Sequence, residues 1–425
     1  MTPTIVDRTF RLDRLDDAAV SVALRLSDAG YEAYVVGGAV RDLLLNQTPK
    51  DFDVATSATP EQVHRLFRGS RIIGRRFQIV HVRMGREMIE VTTFRGHHDD
   101  VLPGNRQSSQ QGQSGVLLRD NVFGTLEQDA IRRDLTVNAL YYDPVADTVI
   151  DYTGGLEDIA SKQLRIIGDP ETRYREDPVR MLRVMRFKAK LQFNIDSETD
   201  EAIAKCSHLL AQIPAARLFD EFLKGFMSGH ARALAQELQA TPLWEELFPD
   251  NAQYAQALPS YERLLDTALA NTDKRIALEQ PVTPAFLLAA ILWPAVDQKA
   301  SYWIGLGEPP IPAIADAGQA VILSAILRVA IPKRFSLIMR EIWDLQTRFE
   351  RRSKRKPLEF ATHKRFRAAY DFLLLRAQSG EPVQELADWW TQFQEKHPEL
   401  DALRHQANPP EAPKTRRPRR RSARK

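Results

Sequence analysis

The sequence predicts an α+β protein: a mixed-sheet head over 1–170, a helical neck over 171–228, a helical body over 229–407 and a disordered basic tail over 408–425. Three observations predict it. The stretch Tyr34 to Thr56, YVVGGAVRDLLLNQTPKDFDVAT, passes from strand-like to helix-like and back to strand-like patterning in one βαβ-like unit. Beyond about Gly229 the apolar period is helical, with proline-marked breaks at Pro281, Pro309-Pro310, Pro332 and Pro357 and no repeat. Lys414 to Lys425, KTRRPRRRSARK, holds eight Lys or Arg and no acid, a composition that cannot bury apolar surface.

Taken in order, Asp17 to Ala29 reads as an amphipathic helix leading into the β-prone Ala33 to Val36. Gly37-Gly38 permits close backbone approach, and Ala39 to Leu45 has the spacing of a short helix. Amide N–H groups at its start can therefore face an anion, with Arg41 beside it. In Asp51-Phe52-Asp53-Val54, strand alternation points both carboxylates to one face and Phe52 toward the core. Such a face can clamp divalent ions, and two metals about 3.5 to 4 Å apart suit an in-line displacement at phosphorus. Mg²⁺ prefers this set of carboxylate and phosphate oxygens. Taken singly, the Gly-Gly turn reads as a tight loop and the Asp pair as solvated carboxylates; the ordered combination with Arg41 carries the functional reading.

Thr59-Pro60-Glu61-Gln62 has the form of a capping box with proline in the first turn. Gln78 to Met84 and Met88 to Phe94 read as strands around a Gly85-Arg86 turn. Glu90 is either a third carboxylate or, the reading preferred, a polar position on a half-exposed strand. Gly96 to Gly115 reads as a mobile polar loop, and His97 and His98 lack the spacing of metal ligands. Glu127 to Leu140 returns to helical period, placing Asp134 and Asn138 four apart on one face beside Arg133. Asp177-Pro178 opens a further helix with Asp as N-cap, and Arg180 and Arg183 share one face of it. In Arg351 to Arg367, RRSKRKPLEFATHKRFR, basic residues interleave with Phe360 and Phe366. That composition suits an RNA backbone with occasional base stacking, a reading preferred over a solvated helix end.

VVGGAVRDLLL followed by KDFDVAT resembles the head of the class II nucleotidyltransferases, the family of bacterial poly(A) polymerases and CCA-adding tRNA nucleotidyltransferases. The similarity continues through IRRDLTVNALYYDP, DYTGGLEDI and REDPVRMLRVMRF, and FRGHH, LLRDN and FRAAYDFLLLR resemble the poly(A) polymerase branch. The resemblance implies a polymerase-beta-like head with Mg²⁺ as cofactor. It implies addition of AMP from ATP to RNA 3′ ends with release of pyrophosphate, RNA-decay proteins as further candidate partners, and no membrane. It assigns catalysis to Asp51, Asp53 and Asp134, with metal on Asp51 and Asp53. Nucleotide contacts are implied for Gly37, Gly38, Arg41, Arg133, Asp177, Arg180 and Arg183, with Arg133 on phosphate and Asp177 and Arg180 reading the base. The alternatives are a CCA-adding enzyme, distinguished by use of CTP, and a non-catalytic RNA-binding protein with a degenerate head. Intact Gly38, Arg41, Asp51 and Asp53 speak against the last.

Length and composition agree. At 425 residues and 43% hydrophobic, the chain can fill about two or three cores. Cys206 is the single cysteine, so no disulfide framework is possible, which suits a reducing cytoplasm. The N-terminus has no apolar run of a secretory signal, and Pro284 to Val296 and Ala320 to Ile331 are too short to span a bilayer and read as core helices. Removing the eight tail charges from the net +3 leaves −5 on the rest of the chain. The tail therefore favours a polyanion through counterion release, or is a solvated terminus.

Overall fold

Short apolar strands and capped helices alternate from the start of the chain. A computed structural model describes residues 2–74, 78–96, 109–111, 117–120, 123–353, 356–400 and 403. It opens with β1 (Thr4–Asp7) and α1 (Asp17–Asp28). Asp16 caps α1 by accepting from the Ala19 N–H at 2.9 Å, and Ala19, Val22, Ala23 and Leu26 form its buried stripe. β2 (Ala33–Val36), α2 (Gly38–Leu44) and β3 (Asp53–Thr56) follow, then α3 (Pro60–Leu66) behind the expected Thr59–Gln62 capping box. β4 (Arg71–Ile73), β5 (Ile79–Met84) and β6 (Glu87–Thr93) come next, the last two around the expected turn. β7 (Ser109–Gln111) pairs with β8 (Leu117–Asp120), so the stretch expected to be only loop carries a strand. Its polar composition hides a partner that only pairing supplies. His97 and His98 lie outside the described residues.

The unit continues through α4 (Leu126–Arg132), β9 (Leu140–Asp143), β10 (Thr148–Asp151), α5 (Gly155–Ser161) and β11 (Gln163–Leu164). Then come α6 (Pro170–Glu176), α7 (Val179–Leu191), β12 (Asn194–Ile195) and α8 (Ser197–Cys206). The main sheet has the order β1-β10-β9-β2-β3-β6-β5-β4, and within it only the β3–β6 pairing is parallel among the described residues. Alternation sorts its side chains: Val35 and Val54 join a cluster with Val22 and Leu26 of α1, while Val36 and Ala55 join Leu126 and Ala130 of α4. Both faces are thereby covered.

The helix expected over Glu127 to Leu140 is a correction. α4 ends at Arg132, Arg133 turns out of helical dihedrals (ψ 172), and a 3₁₀ turn, Thr136–Asn138, precedes β9. Asp134 and Asn138 therefore do not share a helix face. The break is held from outside, since Arg173 Nη2 donates to the carbonyls of Arg132 and Arg133, each at 2.7 Å.

The chain divides into one unit of residues 1–213 and 233–246 and another of 214–232 and 247–425. Helices dominate the second: α9 (Ala215–Phe226), and, after α10 (Ala231–Gln239) and α11 (Leu243–Leu247), α12 (Pro249–Tyr254) and α13 (Pro259–Ala277). α14 (Pro284–Gly305), α15 (Pro310–Arg328), α16 (Lys333–Gln346), α17 (Lys356–Ala361), α18 (Phe366–Gln378) and α19 (Gln384–Lys396) follow. α14 is buried from Leu287 to Val296, as a core helix should be. α15 runs longer than the apolar stretch seen in the sequence and, among the described residues, is long and apolar enough to cross a bilayer by length and composition. It buries Ala313, Ala317 and Val321 and leaves Leu323 and Leu327 exposed.

Phe366 is a second correction. Phe366 is fully buried and packs with Phe349, Phe360 and Trp390 at ring separations of 5.3 to 5.7 Å. The Phe366 ring belongs to the core and is no surface for base stacking, while Phe360 packs half-buried against it.

Candidate active site

The turn between β2 and α2 fixes one wall. Gly37 has φ 78 and ψ −132, a conformation open to glycine, and its N–H donates to the Leu140 carbonyl at 3.1 Å. A Cβ at Gly37 would lie 3.5 Å from Nη1 of Arg133. The arginine of the 130s turn and the glycine turn thus share one place.

The carboxylates form the next wall. β3 begins only at Asp53, leaving Asp51 exposed ahead of the strand, while Phe52 packs on the α1-side core as alternation predicts. Asp53 pairs in parallel register with Glu90, a position that sequence alone reads as merely polar. His81 stands opposite Glu90 on the other side, with Nε2 to Oε1 at 3.1 Å. Burial pushes the Asp53 carboxyl up to about 6, Glu90 adds to the rise, Arg133 opposes it, and Asp51 adds a smaller push. A buried carboxylate with acidic neighbours is a fit for a divalent cation, which offsets both the burial and the repulsion. Among the described residues no three His, Cys, Asp or Glu close into a cage. Mg²⁺ is commonly held by one or two carboxylates plus substrate phosphates, so this set suits it.

Arg133 is held rather than loose. Its Nε and Nη2 donate to Asp129 Oδ2 at 3.2 and 3.0 Å, Nε also reaches the Tyr141 hydroxyl at 3.0 Å, and that hydroxyl donates to Asp129 at 2.7 Å. Burial alone would lower the Arg133 pKa, but Tyr141 and Asp129 outweigh it and keep the cation firmly protonated. Neither helper stands out in the sequence, although the Asp129 to Arg133 spacing of four is readable there.

Asp134 points elsewhere, accepting from Arg183 Nε at 2.5 Å and from the Leu135 N–H at 2.9 Å. Burial would raise its pKa, yet Arg183 and that N–H hold it well below the usual carboxylate range. At the start of α7 the cap position falls on Pro178, which already has helical dihedrals, and Asp177, expected as the N-cap, instead ends α6 and only accepts a long contact from the Val179 N–H at 3.4 Å. Arg180 Nη1 donates to Glu176 at 2.9 Å and to the Arg173 carbonyl at 2.7 Å. Around it the arginines are crowded. Arg132 and Arg173 are each pulled down to about 10 by burial first and then by neighbouring cations, and Arg173 Nε is buried without a hydrogen-bond partner among the described residues. A wall of under-compensated positive charge is what an anion would relieve.

Arg41 stands beside the glycine turn as expected, 3.4 Å from where a Cβ on Gly38 would lie, but it is enclosed. It is 2% exposed, donates from Nε and Nη2 to Asp42 at 2.8 and 2.6 Å and from Nη1 to Asn138, and lies over the Phe187 ring. Burial with two partners makes it a brace for the turn rather than an anion's neighbour in solvent. Asp42 in turn receives Lys190 at 2.9 Å.

A mixed sheet carrying a glycine turn, strand-borne carboxylates and an arginine wall defines a nucleotidyltransferase head. Its sequence matches the family models described as the poly A polymerase head domain over 33–165, the probable RNA and SrmB-binding site of polymerase A over 192–254, and the polymerase A arginine-rich C-terminus over 306–425. The chain is 47% identical over 421 residues to poly(A) polymerase I of Salmonella typhimurium, spanning 97% of this chain and 90% of that one. The chain belongs to the poly(A) polymerase I family. It is an enzyme, a template-independent polynucleotide adenylyltransferase that adds AMP to RNA 3′ ends. Similarity to the CCA-adding enzyme of Bacillus subtilis is 42% over 230 residues, 54% of this chain and 55% of that enzyme. The solved CCA-adding enzyme of Bacillus stearothermophilus in complex with CTP is 26% identical, with TM-score 0.55, over 90% of this chain and 82% of that one. Sequence likeness to the Bacillus subtilis enzyme thus stops at about half the chain, whereas likeness to the Salmonella poly(A) polymerase does not.

Proposed function

We propose that Asp51 and Asp53 hold Mg²⁺, that Gly37, Gly38 and Arg133 seat the triphosphate of ATP, and that Asp177 and Arg180 read its base. One observation carries this reading: Arg133 lies beside Gly37 and is also close enough to oppose the rise of the Asp53 carboxyl. Phosphate seat and carboxylates therefore address one substrate. The RNA 3′ oxygen bonds to the α-phosphorus as the bond to the β-phosphate oxygen breaks, and pyrophosphate leaves. When bound, the metal would neutralise phosphate charge and acidify the attacking hydroxyl. The chain's own part is placement: the turn admits phosphate close to backbone, Arg133 is fixed by Asp129 and Tyr141, and Glu176 fixes Arg180. Arg183 keeps Asp134 ionised, and Asp134 assists from that position. Arg41 serves by bracing the turn.

In this reading 1–170 is the catalytic head, 171–228 the base-reading neck and 229–407 the RNA-binding body. The tail over 408–425 lies beyond the described residues. RNA-decay proteins are candidate partners, in line with the SrmB-binding description of 192–254, and a cytoplasmic setting fits a single buried thiol, Cys206. The test is incubation of the purified chain with Mg²⁺, an unstructured RNA and each nucleotide separately. A long ladder with ATP, absent under chelation and almost absent with CTP, is expected. Two CMP additions followed by one AMP, confined to a truncated tRNA, would overturn the assignment.

A further inference from the structure

A cavity of about 570 Å³ lies in the second unit, between α13, the start of α14 and α18. We propose that it binds one nucleotide of single-stranded RNA, the base on its apolar floor and the phosphate at its cationic rim. No role in the AMP-transfer site described above accounts for it.

The floor is made by Phe286, Leu287 and Leu374, with the Phe286 ring half-buried and set edge-on to Phe372 at 5.8 Å. A flat base has an aromatic ring to meet there. On the rim stand Lys274, Arg275, Lys364, Arg365 and Arg367, against one lining carboxylate, Asp371. Arg367 pairs with Asp371 at 3.0 Å, and Glu341 takes Arg365 and Lys364 at 2.7 and 3.1 Å. Arg275 is different, for its guanidinium donates to a neutral acceptor, the Pro281 carbonyl, at 3.0 and 3.2 Å. Lys274 is exposed and makes no ion pair among the described residues. Positive charge therefore remains on the α13 side, where a phosphate would answer it.

The lip is built before any ligand arrives. Glu279 adopts φ 54, unusual for a residue with a side chain, and the turn is closed by the Gln280 N–H on the Arg275 carbonyl at 2.8 Å. The Arg275 side chain then clasps Pro281. A preformed lip lowers the ordering cost of binding. The cations are spread between the end of α13 and the approach to and first turn of α18 instead of gathered at one point, which suits a backbone passing across the rim better than a free triphosphate. The inference rests on the chain's action on single-stranded RNA, and its test is separable from that.

The test uses the full chain carrying Asn271→Glu with Lys274→Glu, both exposed on α13. Binding of oligo(A) of about 20 nucleotides is followed by fluorescence anisotropy across a salt series. Kd should rise about tenfold and the log-log salt slope should fall by about 0.7 for each phosphate that is no longer neutralised. In the wild-type chain, oligo(A) carrying one 8-azidoadenosine should crosslink to the segment containing Phe286, which keeps the idea testable if the double variant folds poorly. Unchanged affinity, or crosslinks confined to other segments, would overturn it. So would loss of 5′-AMP binding in calorimetry with oligo(A) binding intact, since the pocket would then serve a free nucleotide. AMP addition by the wild-type chain is measured separately, so either reading can fail alone.

Discussion

Asp53 on β3 stands in register with Glu90 on β6, across the parallel pairing of the main sheet. Burial and that neighbour lift the Asp53 carboxyl to about 6. The consequence for stability has a definite sign. With the folded pKa above the unfolded value, the fold favours the protonated form, so this contribution is present at low pH and lost as pH rises through about 6. In chelator at pH 7, Asp53→Asn should therefore melt no lower than wild type and higher by up to the equivalent of about 3 kcal/mol, a gap that closes toward pH 4. The same variant should lose at least about 10³-fold in AMP incorporation, because uncompensated phosphate charge costs several kcal/mol in the transition state. A folded Asp53→Asn chain with near wild-type turnover would sink the metal assignment.

The Arg183–Asp134 pair makes the opposite pH prediction. Its carboxylate, 11% exposed, is depressed by the guanidinium, so the stabilisation is present above the unfolded carboxylate pKa and lost as pH falls through the folded one. Arg183→Met should destabilise the first unit by about 1–3 kcal/mol at pH 7, discounted because the arginine is a third exposed. Adding Asp134→Asn should restore part of the loss. Urea melts at pH 7 and in steps down to pH 2 check this, and a loss that does not shrink toward pH 2 would show that packing, not charge, is responsible.

How far these features are readable in the chain depends on their range. The β2–α2 turn and the Thr59–Gln62 box are local and stand as read, whereas β3 starts at Asp53 and leaves Asp51, expected on it, ahead of the strand. The pairs Asp129–Arg133 and Glu176–Arg180 lie at a spacing that sequence can suggest. Glu90 could not be preferred as a carboxylate of the site, because its place opposite Asp53 comes from strand register across a connection. The break after α4 depends on Arg173, some forty positions on, and the periodic pattern alone runs through it. The enclosure of Arg41 is hidden for a related reason: its place beside the glycine turn is readable, while Asn138 and Phe187, which help enclose it, come from far along the chain.

Phe366 tests the corrected reading of the basic segment. Its ring is fully buried among Phe349, Phe360 and Trp390, so Phe366→Ala should cost about 3–5 kcal/mol in unfolding free energy. Affinity for oligo(A), measured where the variant is still folded, should hold. A selective loss of RNA affinity with stability intact would return the ring to the surface role.

Gly37 and Gly38 are neighbours with unequal demands, and the difference locates what the turn requires. Gly37 has φ 78 and ψ −132, which a side chain resists, although a Cβ there would meet only ordinary contacts, Arg133 Nη1 at 3.5 Å and the Asn138 carbonyl at 3.7 Å. Gly38 begins α2 without a positive φ, and its Cβ would touch Arg41 Nη2 at 3.4 Å. Gly37→Ala should then destabilise by about 1–3 kcal/mol through the backbone alone. As the turn relaxes, its distance from Arg133 changes, so KM for ATP should rise more than kcat falls. Gly38→Ala should cost less than about 1 kcal/mol, since α2 tolerates alanine and the contact is ordinary. Thermal melts and steady-state kinetics of the two variants decide the matter. If Gly38→Ala proves as damaging as Gly37→Ala, space beside Arg41, rather than the backbone of Gly37, sets the turn, and the bracing role given to Arg41 becomes the larger part of how phosphate is received.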